Sequence, residues 1–155
     1  MQQSSHKPST FDLETFLPYR LHVAAEQVSQ QFHDHYRRAY GINRSEWRTL
    51  FHIGSYGPIS AAEISRRSRL DKTLLSRAVL KLESRGWVVR RYRKGDRRGH
   101  DLAVTPAGSD IFEALRALAS SFNDKIVEAL GADASERLLN SLYRLEALAE
   151  RKDDD

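Results

Sequence analysis

The chain has no cysteine among its 155 residues. That excludes a disulfide framework and any thiol-based sensing of oxidants, and it leaves no ligand for a tight soft-metal site. No apolar run approaches the length of a membrane-spanning helix, so no transmembrane segment and no membrane partner are expected. Residues 1–8 lack the apolar region of a signal peptide, which makes the cytoplasm the expected compartment. There is no glycine-rich phosphate loop, no Gly-x-Ser-x-Gly and no metal-hydrolase pattern, and His52, Ser55 and Glu63 have no spacing that suggests catalysis. The expectation is a protein that is not an enzyme, with no catalytic residues and no cofactor. His22 and Glu26 lie four apart, but His33 and His35 point to different helix faces, so no metal site is expected either. Internal repeats and low-complexity linkers are also missing.

What is present is a globular composition, 40% hydrophobic and 30% charged, in a length that fits one domain. The net charge of +4 conceals a segregation. Residues 60–100 hold thirteen Lys/Arg against four Asp/Glu, a net of +9, while the remainder holds twelve against seventeen, a net of −5. A polyanionic partner for one segment explains this better than solubility does.

Periodicity and capping signals divide the chain. Residues 1–9 are polar and expected to be mobile. A long helix is expected over 12–40, with Leu13, Phe16, Leu17, Leu21, Ala24, Val28, Phe32 and Tyr36 as one apolar stripe. Pro18 implies a kink, or a helix that starts there. Asn43 to Glu46 is a capping-box-like start for a helix carrying Trp47, Leu50, Phe51 and Ile53, which ends near Gly57-Pro58. Ser60-Ala61-Ala62-Glu63 is a clearer box, opening a short helix with Ile64 inward. Asp71 is an N-cap for a helix over 71–85, stopped by Gly86. Two short strands follow around an arginine-dense loop at 93–99. Thr105-Pro106 starts a helix with Ile111, Phe112, Leu115, Leu118, Phe122, Ile126 and Leu130. Gly131 ends it, and Asp133 to Glu136 reads as the box of a last helix with Leu138, Leu139, Leu142, Leu145 and Leu148. The tail, 151–155, is polar.

The expected fold is α+β, mostly α: a winged helix-turn-helix at about 43–106 inside a single domain spanning 10–150, with flanking dimerisation helices at about 12–40 and 106–150. The flanking stripes need cover, and a second copy of the chain is the economical one, so a symmetric homodimer is expected.

On helix 71–85, Leu74, Leu75, Ala78, Val79 and Leu82 fall on one face. Thr73, Ser76, Arg77 and Ser84 fall opposite, with Lys72 and Lys81 at the margins and Leu80 outward for no evident reason. Arg77 suits a bidentate pair with guanine, while Thr73 and Ser76 suit bases or phosphates. Lys72 and Lys81 complete the candidate double-stranded-DNA face. In the hairpin, Arg93, Lys94, Arg97 and Arg98 could enter a minor groove, with Asp96 steadying an arginine. Arg90, Arg91 and Arg93 should include phosphate contacts.

Leu70-Asp71, Ser76-Arg77, Leu82-Glu83-Ser84-Arg85-Gly86-Trp87-Val88, Asp96-Arg97-Arg98 and Leu102-Ala103-Val104-Thr105-Pro106-Ala107-Gly108 together resemble the multiple-antibiotic-resistance regulator (MarR) family. Val104 stands where the family's second leucine falls. The resemblance covers nearly the whole chain. It implies a dimeric bacterial transcription factor, usually a repressor, on a pseudo-palindromic operator, released by a small aromatic or phenolic ligand. The alternative is an architectural winged-helix nucleic-acid binder without an effector.

Leu17-Pro18-Tyr19-Arg20-Leu21-His22 also resembles a branch that senses aromatic acids through an arginine at that place. Arg20, with His22 and with Trp47 from the next helix, is therefore the candidate anchor of an aromatic carboxylate. The plainer alternative is that Arg20 makes an inter-subunit salt bridge and His22 is a surface residue.

Overall fold

The structure, a computed structural model, describes residues 11–93 and 96–150, without the side chains of Arg93, Asp96, Arg97, Arg98 and Glu150. The chain forms two units, Met1–Asn43 and Arg44–Asp155.

In the first unit Asp12 accepts a hydrogen bond from the Glu14 backbone N–H and caps a single 3-10 turn, Leu13–Thr15. The long helix α1, Leu17–Tyr40, begins only then, with Pro18 in its first turn. Proline there lacks only an N–H that would have gone unbonded, so it starts the helix and does not kink it. Phe32 and Tyr36 are its buried residues and their rings meet edge to face at 5.1 Å.

The second unit is built around α2, Arg44–Tyr56, whose Leu50 and Ile53 are fully buried. Helix α3, Ala61–Ser68, and helix α4, Lys72–Ser84, pack against it. Ser60 caps α3 by accepting from the Glu63 N–H at 3.1 Å, but Glu63 does not close the expected box. Its carboxylate turns forward to Arg66 and Arg67. The turn between α3 and α4 passes through Arg69 at φ 55, a left-handed conformation, which costs a residue with a Cβ roughly 1–2 kcal/mol. Asp71 then caps α4 by accepting from Leu74 N–H at 2.9 Å.

Strands β1, Val88–Arg93, and β2, Asp96–Val104, pair antiparallel from Val88↔Val104 out to Tyr92↔His100, with a register shift after Tyr92. Because β2 begins at Asp96, the backbone of Arg97 and Arg98 belongs to a strand, not to the loop expected over 93–99. A third segment joins the wing without any sign in the sequence: Ile59 exchanges two backbone hydrogen bonds with Leu102, at 3.0 and 2.8 Å.

The wing closes where α5, Pro106–Leu130, begins. The Thr105 hydroxyl accepts from the Gly108 N–H and donates to the Gly86 carbonyl at 2.6 Å, while Thr105 N–H bonds the Trp87 carbonyl. Gly86 makes the turn out of α4 at φ 71, which glycine alone adopts without strain. At Gly108 the reason is space, since an added Cβ would fall on the Trp87 carbonyl oxygen. The helix α6, Ala132–Glu150, starts one residue before the expected box. Ser135 donates through both its N–H and its hydroxyl to the Gly131 carbonyl, so the Gly131 end, not Asp133, opens the helix.

Candidate nucleic-acid interface

One face of α4 is committed to the core: Leu75, Ala78, Val79 and Leu82 are all at most 3% exposed. Leu74, expected with them, is 42% exposed. At about 100° per residue it falls past the edge of the arc those four define, on the side of Lys81. Thr73, Ser76, Arg77, Leu80, Lys81 and Ser84 are exposed on the remaining surface, with Lys72 beside them. Leu80 stays outward at 57% exposure, and nothing in the structure explains it.

Cations in this unit fall into two groups. Arg66 and Arg67 both bind Glu63, and Arg67 also lies over the Tyr56 ring at 4.5 Å. Those two guanidiniums hold the Glu63 carboxyl down at about 2. Arg90 is likewise engaged, with Nε and Nη2 on the two Glu83 oxygens at 2.8 and 3.1 Å and Nη1 on His100 Nε2 at 2.9 Å. Arg90, one of the three arginines expected to include phosphate contacts, thus has all three guanidinium nitrogens engaged within the chain while its side chain stays 40% exposed. By contrast Lys72, Arg77, Lys81 and Arg91 have no ion pair among the described residues. Four unneutralised cations on one helix face and the adjoining strand are what a polyanion would complete. The side chains of Arg93, Arg97 and Arg98 lie outside the described residues, as does all of Lys94.

A cavity of about 270 Å³ opens between α3, α4 and the wing, with Leu75, Val79 and Leu102 on its apolar side and Lys72, Arg90 and His100 on its polar side. Of the expected ligand residues, Arg20 is half exposed and pairs with Glu14 at 3.1 Å, and His22 is exposed. Trp47 packs against Phe51 with the rings tilted and 4.8 Å apart, and Phe51 meets Phe112 edge to face. Among the described residues no group of three or more His, Asp or Glu could hold a metal ion, and no helix is long and apolar enough to cross a membrane.

A helix-turn-helix with a two-stranded wing and an unneutralised basic face defines a winged-helix DNA binder. The MarR family model matches residues 40–99. The curated transcriptional regulator SarZ of Staphylococcus haemolyticus is 26% identical over 132 residues, 84% of this chain and 86% of its own. A MarR-family regulator of Silicibacter pomeroyi DSS-3 superposes with a TM-score of 0.78 at 25% identity, over 90% of this chain and 98% of its own. Two further solved structures share the fold. NadR with 4-hydroxyphenylacetate has a TM-score of 0.73 at 23% identity, over 94% and 96% of the two chains. A MarR-family protein of Listeria monocytogenes with 26mer DNA has 0.74 at 16%, over 83% and 85%. Over residues 40–99 the chain resembles the MarR family, and the transcriptional regulators it matches extend that likeness over most of its length.

Proposed function

We propose that this protein is a cytoplasmic repressor that binds a pseudo-palindromic operator as a homodimer and lets go when a small aromatic acid binds. The exposed face of α4 carries this reading, with Arg77 on base edges, Thr73 and Ser76 beside it, and Lys72, Lys81 and Arg91 on phosphates. Arg93, Arg97 and Arg98 serve the minor groove from the wing. A relative solved with DNA supports it. Titration of a duplex selected from a random pool, against a scrambled duplex, tests it. Tight, sequence-dependent binding with a steep loss as salt rises is expected; equal affinity for both duplexes would leave only an architectural role.

Dimerisation is supported by α6. None of its described side chains, from Ala132 to Ala149, is buried, and Leu138, Leu139, Leu145 and Leu148 are 43–59% exposed. A groove between α5 and α6, lined by Ile126, Leu130, Leu139 and Leu142, continues that apolar surface. Exposed leucines in such number call for a second copy.

For the effector, Arg20 remains the proposed anchor of the carboxylate, with His22 near it in sequence; the acid would displace the exposed Glu14 pair. The cavity beside Lys72, Arg90 and His100 is the second reading, because it combines cationic groups with an apolar wall. Calorimetric titration with 4-hydroxyphenylacetate, the ligand of NadR, separates them. Loss of binding in Arg20→Ala favours the first, loss in Lys72→Ala the second, and no heat from the wild type argues against this acid at either place.

A further inference from the structure

Glu83 sits in the last turn of α4, Arg90 on β1 and His100 on β2, and Arg90 bonds both of the others. Each guanidinium nitrogen is used once. Two go to the Glu83 carboxylate as a bidentate pair, and the third goes to His100. Helix α4, the proposed recognition helix, and both wing strands are thus joined by one side chain. The geometry also dictates the state of the histidine. Arginine only donates, so His100 Nε2 must accept, and the ring must be neutral with its proton on Nδ1. Arg90 cannot yield instead, because the Glu83 hydrogen bonds hold its pKa above the ordinary arginine value.

The charged and titratable neighbours sharpen the point. From α4 come Glu83 and Lys72, the latter lining the same cavity as Arg90 and His100. From β1 come Arg90 and Tyr92, the cross-strand partner of His100. The α3 residues on that cavity, Ala61, Ala62 and Ser65, carry no charge. Asp101 follows His100 on β2 but alternates to the other face, opposite Arg91. The side chain of Arg98, two residues away on β2, lies outside the described residues. A proton on His100 would replace an acceptor by a cation facing Arg90, with Lys72 close by.

We infer that Glu83, Arg90 and His100 form a strut that positions the wing against the recognition helix, and that protonation of His100 releases it and weakens operator binding. This rests on the proposed DNA-binding reading. Its sign is distinctive. Histidines near phosphates gain a favourable charge on acidification and tighten binding; the strut requires the reverse. Glu83, Arg90 and His100 are positioning residues that need touch no DNA.

The test measures affinity for the selected duplex at pH 8 and pH 5.5, at constant ionic strength, with circular dichroism confirming that each protein stays folded. For the wild type, affinity should fall roughly three- to tenfold between the two, the order expected for the net worth of one ordinary hydrogen bond. His100→Gln keeps an acceptor for Arg90 that cannot be protonated, so its affinity at pH 5.5 should stay within about twofold of its own value at pH 8. In Arg90→Gln the fall should disappear, since no guanidinium is left to oppose the imidazolium. Parallel pH profiles in the wild type and His100→Gln would overturn the strut. So would a wild type that binds more tightly at pH 5.5. Absence of sequence-dependent binding at pH 8 would overturn the DNA-binding reading itself, a separate outcome from a specific binder with parallel profiles.

Discussion

At the residue scale the basic segment is two populations with different jobs. Arg66, Arg67 and Arg90 are paired with carboxylates within the fold, the first two sharing Glu63, whereas Lys72, Arg77, Lys81 and Arg91 have no ion pair among the described residues. Sequence counting cannot separate them, because pairing depends on where distant carboxylates arrive. Glu83 and His100 lie seven and ten residues from Arg90 and meet it only once the wing folds back. Replacement of Arg77 by alanine should cost roughly 1–3 kcal/mol at the operator and relax base preference at one position. Fluorescence anisotropy with duplexes varied at each base would reveal it; equal weakening on operator and random DNA would make Arg77 a phosphate contact. At Gly108, replacement by alanine should destabilise the fold by roughly 1–3 kcal/mol, the usual range for overpacking, because the new methyl meets the Trp87 carbonyl. Urea unfolding is the check, and a loss under about 0.5 kcal/mol, the level of an ordinary surface change, would mean that the close approach is relieved cheaply.

At the element scale the helix starts legible in the sequence are those set by local chemistry. Ser60, Asp71 and Thr105 each accept from a backbone N–H three residues on, as their residue types foretell. Local signals also misled where competing groups were stronger. Asp133 to Glu136 has the pattern of a box, yet the Gly131 carbonyl captures both Ser135 donors and moves the start. Glu63 completes the letters of a box but goes to two arginines. That choice has a pH consequence. Because its pKa is lowered to about 2 from 4.5, the stabilisation it provides is fully present above about 4.5 and disappears as pH falls through 2. Thermal unfolding of the wild type and Glu63→Gln should therefore differ near neutrality and converge as pH drops from 4.5 towards 2. A difference that stays constant over that range would show that the pairing with Arg66 and Arg67 contributes nothing. The Ile59–Leu102 bridge was not legible at all, since one residue of strand leaves no periodicity to read.

For the whole molecule, the sequence disclosed the winged helix-turn-helix because turn, cap and hydrophobic signals agree along 60–106. It disclosed less about the ends. Stripes on the flanking helices announce that something covers them, and the structure adds that none of the described side chains of α6 is buried in a single chain. Placing glutamate at Leu139 and Leu142 together should turn a dimer into monomers and abolish operator binding while the winged segment stays folded. Sedimentation equilibrium and circular dichroism would follow both; a monomeric double variant with full operator affinity would refute the dimeric account.

The central claim is that two copies of this basic face read DNA together. In vitro selection from a random duplex pool at near-physiological salt tests it most directly. The account predicts an enriched inverted repeat whose half-sites lie about one helical turn apart, 10–10.5 base pairs centre to centre. Salt-sensitive retention of DNA with no enriched sequence would contradict it and leave an architectural binder.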